Sequence, residues 1–155
     1  MEDLCTPVSG SNIIAAYSLP LVNPVLYSDT DPNTSSKTII VPASTIWQLI
    51  SIFVIYKSTN TAEDRQLRIY FQDPSDTSFL IIVPHVKIPT NTSRYFSFFP
   101  SAPLDTSAHD NYFVTTPLPQ LTLPPLHKMF FYESEEIDTE ADDMEIHILF
   151  NQINI

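Results

Sequence analysis

The chain has 155 residues, of which 43% are apolar and 16% charged, so it is long enough for one folded domain and too hydrophobic for a disordered segment. Its formal charge of −11 repels a phosphate backbone, because affinity for nucleic acid comes largely from Lys and Arg, and we expect no nucleic-acid partner. The single glycine, Gly10, excludes glycine-rich phosphate loops and the GxSxG nucleophile turn.

The N-terminal stretch 1–12 is predicted to be a flexible arm that precedes a single domain over residues 13–155. The arm is acidic and lacks the basic start and continuous apolar run of a secretory signal. Cys5 is the only cysteine, so no intrachain disulfide can form and the chain suits a reducing compartment. The first candidate strand is 13–18.

The stretch 39–56 is the only one whose length approaches that of a membrane-spanning helix. Pro42 and several polar residues interrupt it, and no basic cluster flanks either end. A short strand over 37–41, a turn at 42–45 and one long strand over 46–57 account for it better, because β-branched and aromatic residues dominate. We therefore expect no membrane partner.

The long strand is apolar on both of its faces. One face carries Ile50, Ile52, Val54 and Tyr56. We predict that this face contacts a second copy or another protein, since contiguous exposed apolar patches mark interfaces. The alternative is a central strand whose outer side is covered by the chain's own arms, such as residues 1–30.

Several later segments have strand character. Residues 65–72 and 144–151 alternate apolar and polar side chains, which predicts half-buried antiparallel strands. Shorter candidates are 78–83, 94–99, 111–115 and 127–132. Asp-Pro, Asn-Pro and Pro-Pro pairs separate such segments at the ~8–12-residue spacing of sandwiches and barrels. The pattern predicts an all-β fold: an antiparallel two-sheet sandwich that is jelly-roll-like.

The sequence pattern assembles no catalytic, cofactor or metal site. The histidines at His85, His109, His127 and His147 have no ligand spacing, and none stands at a zinc-site distance from a cysteine. His109 and Asp110 lie in a polar stretch, but adjacent residues rarely have the geometry of a catalytic triad. We therefore expect a protein that is not an enzyme and binds no cofactor.

Eight carboxylates and no base fall within residues 133–145, which we predict to form a short acidic turn or helix before the last strand. Asp138, Glu140 and Asp142 alternate as oxygen ligands do at the start of an EF-hand loop, but the glycine and the bidentate glutamate of that loop are missing. A looser calcium site stays open. A solvated acidic loop that meets a basic partner accounts for the segment better.

Two segments carry a recurrent pattern. Residues 41–73 contain a "VPAG"-like turn, a Trp-bearing strand and an arginine, Arg65, that opens the next strand. Residues 123–153 contain an "LPPG"-like strand start, an acidic "DD" turn and a closing alternating strand. With these features the chain resembles virion structural β-sandwich proteins of tailed bacteriophages, in which glycine stands at the positions of Ser44 and Leu126.

The resemblance implies a capsid decoration or cement protein, which is non-enzymatic, assembled in the host cytoplasm and located on the capsid exterior. Its implied partners are the major capsid protein and further copies of itself, as a homo-oligomer and most simply a trimer. The alternative is a tail or head-tail junction module that recognises glycan or another virion protein. Tyr17, Tyr27, Tyr95 and Tyr112 are candidate stacking platforms for that role.

Overall fold

The computed structural model describes residues 23–32, 36–61, 65–103, 112–133 and 142–155, and the regular secondary structure in these ranges is β-strand. The strands are β1 (Asn23–Asp29), β2 (Lys37–Ile40), β3 (Thr45–Lys57), β4 (Leu67–Gln72), β5 (Ser78–Ile82), β6 (Ser93–Phe99), β7 (Phe113–Pro117), β8 (Thr122–Leu123), β9 (Lys128–Glu133) and β10 (Asp143–Asn154). The predicted arm over 1–12 and the candidate strand over 13–18 lie outside the described residues, as does most of the predicted acidic turn or helix. Within the described ranges, no helix is long and apolar enough to cross a membrane.

The strands form two sheets. One has the order β1-β10-β3-β6-β7 with β8 beside β3, and the other has the order β2-β9-β4-β5. The pairing is nested: β1 pairs with β10, β2 with β9, β3 with β6 and β4 with β5. This winding is that of a jelly roll, so the predicted all-β two-sheet sandwich is confirmed. One pair departs from the antiparallel rule, because β7 runs parallel to β6.

The core lies between the inner faces of the two sheets. On β4 the alternation places Leu67, Ile69 and Phe71 inward, each wholly buried. From the other sheet Trp47 and Phe150 stack with ring centroids 3.9 Å apart. Burying each large apolar side chain of this kind contributes ~1.5–3 kcal/mol, so the packed interior holds the sandwich together without a disulfide.

The long strand β3 contains a β-bulge. Ser51 pairs with Leu149 of β10 and Leu49 pairs with Phe150, so Ile50 is an extra residue between two successive pairs. An inserted residue reverses which side chains of a strand face the core. Odd-numbered residues of β3 therefore face the core before the bulge, and even-numbered residues face it afterwards.

Because of the bulge, most of the face of β3 that was predicted to be an exposed contact surface is buried instead. Ile52, Val54 and Tyr56 lie in the core with 0% of their surface exposed, and only Ile50 is half-buried. The side chains that point outward from this half of the strand are Ser51, Phe53 and Ile55.

The first strand, β1, is not predicted from the sequence. Pro24 argues against a central strand, but β1 is an edge strand, where a missing N–H is tolerated. Residues 23–29 pair with β10 within the sheet, so they do not cover the outer side of β3 as the alternative reading expected. Lys37 contacts the Asp29 carboxylate at 2.5 Å and the Asp31 carbonyl oxygen at 2.9 Å, which ties the β1 side of the sandwich to β2.

The turn before β9 requires an unusual backbone conformation at Leu126. This residue has a φ of 63°, in the left-handed region where the Cβ atom of a non-glycine residue crowds the backbone. Its N–H donates to the Val41 carbonyl oxygen at 2.9 Å, and the Val41 N–H donates to the His127 carbonyl oxygen at 2.9 Å. The "LPPG"-like and "VPAG"-like turns therefore lie side by side at the end of the β2–β9 pair.

We expect Leu126→Gly to raise the free energy of unfolding by ~1 kcal/mol, because glycine adopts this φ without the steric cost. The Leu126 side chain is half exposed, so little burial is lost. Urea denaturation measures the change. Ala43→Gly, in an exposed turn without positive φ, is the matched control and is expected not to stabilise. A Leu126→Gly variant less stable than the unmodified protein would contradict the expectation.

Candidate interaction surfaces

The outward side of the six-stranded sheet carries large apolar side chains, and we call it the first outer face. Its large members are Leu26, Phe53, Ile55, Tyr95, Phe113, His147 and Leu149. The rings of Tyr95 and Phe113 stack at 4.8 Å, and Phe53 lies 6.3 Å from Tyr95 and 6.1 Å from the His147 ring. Phe113 is 54% exposed. The rings therefore form a continuous row across β10, β3, β6 and β7.

The outward side of the four-stranded sheet also carries large apolar side chains, beside polar ones, and we call it the second outer face. Its large members are Ile40, Arg68, Tyr70, Ile81, Phe130 and Tyr132. Phe130 and Tyr132 stack at 5.6 Å, and Tyr70 lies 6.1 Å from each of them. The Arg68 Nε atom on this face is shielded from solvent and has no hydrogen-bond acceptor among the described residues.

A buried ion pair lies between the two sheets, at the β10 start. Arg65 and Asp142 have no exposed surface, and the Arg65 Nε atom donates to Asp142 Oδ2. The same carboxylate accepts the Tyr56 hydroxyl at 3.0 Å and the Thr59 N–H at 2.7 Å. These bonds place the Arg65 and Asp142 charges in a structural role, and they join the two segments, 41–73 and 123–153, that carry the recurrent pattern.

Tyr56 is expected to make the protein less stable at alkaline pH. Burial first, and then the Asp142 charge, raise the pKa of the Tyr56 hydroxyl far above its ordinary value. The folded state therefore keeps a proton that the unfolded state releases above pH ~10, so this stabilisation is complete below pH ~10 and is lost as the pH rises beyond it.

Thermal unfolding of the protein and of Tyr56→Phe tests this expectation. At neutral pH the protein should be the more stable of the two, because the variant loses the bond to Asp142. The difference in stability between the two proteins should shrink as the pH is raised to ~11, since only the protein with Tyr56 can release the proton of that residue on unfolding. An advantage that stays constant over this range would contradict the assignment.

Half of the eight carboxylates in 133–145 fall on described residues, and they are not a solvated acidic face. Asp142 is held by Arg65, while Asp143 and Glu145 both contact the Lys57 ammonium group. Glu133, at the end of β9, is buried. Within the described ranges, no three His, Cys, Asp or Glu side chains come together as a metal site. Asp138 and Glu140, the other residues of the looser calcium reading, lie outside these ranges.

Among the described histidines, His147 lies on β10 of the six-stranded sheet, His127 immediately precedes β9 of the four-stranded sheet, and His85 lies exposed after β5. The His147 Nδ1 atom shares a hydrogen bond of 2.9 Å with the Ser28 hydroxyl on the first outer face, and the His127 ring packs edge-on against Phe79. His109 lies outside the described residues, together with Asp110.

The described tyrosines among the candidate stacking platforms fall in two separate places. Tyr27 packs inward, 6.3 Å from the Trp47 ring, whereas Tyr95 and Tyr112 are adjacent at the β6–β7 edge, where the Tyr95 N–H donates to the Tyr112 carbonyl oxygen. Tyr17 lies outside the described residues.

A groove of about 500 Å³ opens beside the β3 bulge, beyond the ring row of the first outer face. Its lining residues are Gln48, Leu49, Ile50, Pro100, Gln120, Leu121, Thr122 and Asn151. None of them is charged, in a chain whose formal charge is −11. Sequence periodicity does not reveal this site, because β10, β3, β8 and the turn after β6 meet here only through the fold.

No protein-family model and no curated protein sequence matches the chain. Among solved structures, one of infectious bursal disease virus, Gx strain, aligns with it at a TM-score of 0.37 and 7% sequence identity. The alignment covers 82% of this chain and 33% of the other. This chain therefore spans about a third of the length of the solved chain to which it is similar.

Proposed function

We propose that this protein is a non-enzymatic virion structural protein, of the decoration or cement type on the capsid exterior of a tailed bacteriophage. The observation that carries the proposal is the pair of apolar outer faces on opposite sides of one sandwich. An antiparallel sheet with one solvated side normally alternates to polar residues on that side, and exposed apolar patches mark protein contacts. Two opposite faces give one molecule two contacts, which a protein that bridges neighbouring subunits needs.

The first outer face is assigned to self-association. Its charged neighbours already have partners within the chain, because Lys57 contacts both Asp143 and Glu145. A neutral aromatic row of this kind suits contact with an identical surface. The contact therefore moves from the predicted Ile52, Val54 and Tyr56 to outward neighbours on the same strand, such as Phe53. Symmetric pairing of two identical faces closes as a twofold dimer, so the trimer implied by the resemblance would need each first outer face to contact a different surface of its neighbour.

The second outer face is assigned to the major capsid protein. Arg68 places a positively charged guanidinium group on this face, so the face suits a partner that presents a carboxylate beside apolar side chains. An oligomer would engage several capsid subunits at once, and modest individual contacts would then multiply through effective concentration. Assembly would take place in the host cytoplasm.

The test is a binding measurement with phage heads that lack this protein. We expect the purified protein to bind at a fixed copy number and to sediment as an oligomer when free. Phe113→Glu should yield monomers, and Ile81→Glu should abolish head binding while the oligomer persists; both side chains are about half exposed, so folding should survive.

Ala43→Glu, in the exposed turn before β3, adds the same charge away from both faces and is the control, with no expected effect. Absence of saturable binding to the heads would refute the decoration role. A free protein that is monomeric at every concentration would refute the assignment of the first outer face.

A further inference from the structure

The groove beside the β3 bulge brings four polar side chains together. Gln48 of β3 pairs with Asn151 of β10 on one side and with Thr122 of β8 on the other, so three outward polar side chains stand in one row across three strands. Gln120 joins them from the segment before β8. The bulged residue, Ile50, also lines the groove, and β-bulges occur often beside active sites.

The polar side chains of the groove are not used by the fold. Gln48, Gln120, Thr122 and Asn151 make no side-chain hydrogen bond to any other group of the described structure. Each amide offers both donors and acceptors, and the threonine hydroxyl does the same. Four such groups around a volume of about 500 Å³ match the few convergent polar groups that orient a small ligand.

The groove leaves little room for an extended peptide to add as a strand. One edge of β3 is occupied by β10, and on the other edge the Leu49 N–H donates to the Leu121 carbonyl oxygen at 2.9 Å. Backbone pairing is what gives strand addition its affinity. A ligand here must therefore be held by side chains.

We propose that the groove binds a neutral saccharide unit. Every sugar hydroxyl both donates and accepts hydrogen bonds, which is what the three amides and the threonine can reciprocate. The C–H face of a sugar ring would lie against Ile50, Pro100 and Leu121. The described lining residues carry no charge, which favours a neutral sugar over an acidic one. The site goes beyond capsid decoration and does not depend on it.

A single groove of this kind binds weakly, because a few exposed hydrogen bonds contribute little each in water. We expect millimolar affinity for an isolated monosaccharide. Copies of the protein repeated on one particle would raise the effective affinity for a glycan-coated surface by ~10²–10⁴-fold.

The experiment is a titration of the ¹⁵N-labelled full chain with glucose, galactose, N-acetylglucosamine and maltose, with trialanine as a neutral peptide probe. The side-chain NH₂ signals of Gln48, Gln120 and Asn151 report on the groove directly. At least one sugar is expected to shift them saturably. Gln48→Leu should weaken that binding about tenfold or more, as the loss of its hydrogen bonds implies.

Gln72→Leu is the control, since it removes an outward amide on the other sheet, where that amide donates to the Asp76 carbonyl oxygen and the Ser78 hydroxyl, and should leave sugar binding unchanged. Three outcomes would each overturn the proposal: no saturable shift with any sugar, equal sugar binding by the Gln48→Leu variant, or shifts caused by trialanine alone. The sugar and trialanine titrations use the unmodified protein, so they test the proposal even if Gln48→Leu does not fold. Failure of head binding would not bear on any of them.

Discussion

Asp142→Ala is expected to lower the free energy of unfolding by ~3–5 kcal/mol, the usual cost of removing one partner from a buried ion pair. The carboxylate accepts bonds from the Arg65 side chain, the Tyr56 hydroxyl and the Thr59 N–H, and neither charged residue is exposed. Alanine leaves all three donors without this acceptor. Urea denaturation monitored by tryptophan fluorescence measures the loss, since Trp47 is the only tryptophan.

Asp143→Ala is the matched control. Asp143 follows Asp142 and begins β10, and it also contacts a cation. That cation is Lys57, whose side chain is 48% exposed. Its loss is expected to cost no more than ~1 kcal/mol, as for other surface pairs. Arg65→Met combined with Asp142→Leu should be less damaging than Asp142→Ala alone, because no buried charge is then left behind. Similar costs for Asp142→Ala and Asp143→Ala would show that the buried pair does not stabilise the sandwich.

Ile52→Glu is expected to prevent folding, whereas Phe53→Glu is expected to leave the fold intact and abolish self-association. The two residues are neighbours on β3, but the bulge at Ile50 turns the first toward the core and the second outward. A glutamate at position 52 would have to bury a charge or open the sandwich, and the lost apolar burial alone costs ~2–5 kcal/mol. Circular dichroism with sedimentation velocity reads both outcomes.

This comparison makes the same substitution at two adjacent residues of β3, so it tests which of the two side chains faces the core. A folded, monomeric Ile52→Glu variant would restore the face predicted from the sequence and overturn the bulge. An unfolded Phe53→Glu variant would place that ring in the core. Ile52→Val, which retains an apolar side chain, should fold with a loss of ~0.5–1.5 kcal/mol.

The fold class could be predicted because alternation is a local signal. On β4, and on β10 as far as Phe150, every second residue is apolar, so these strands and their inward faces could be predicted without knowledge of their neighbours. Which side chains of β3 face the core could not be predicted, because its odd-numbered and even-numbered residues are both largely apolar. Neither Ile50 nor Ser51 is a residue type that marks a bulge. β1 was hidden by Pro24, whose tolerance depends on an edge position that only the sheet order provides.

The candidate sites were less accessible to sequence reasoning because they join distant segments. Arg65 and Asp142 are 77 positions apart, and the sequence pattern placed one at the start of a predicted strand and the other in an acidic run. Gln48, Thr122 and Asn151 carry no motif, and only the pairing of β10, β3 and β8 sets them in one row. Strand registers that long-range packing determines cannot be read from neighbours along the chain.

The nested winding also constrains how the chain reaches its native state. β10 lies between β1 and β3, so the larger sheet cannot close until residues 143–154 have been synthesised. A nascent chain would hold β1 and β3 with unpaired edges, each a template for pairing with another chain. Such non-local pairing folds in ~milliseconds to seconds, so nascent copies crowded on neighbouring ribosomes would be exposed to aggregation until β10 has inserted.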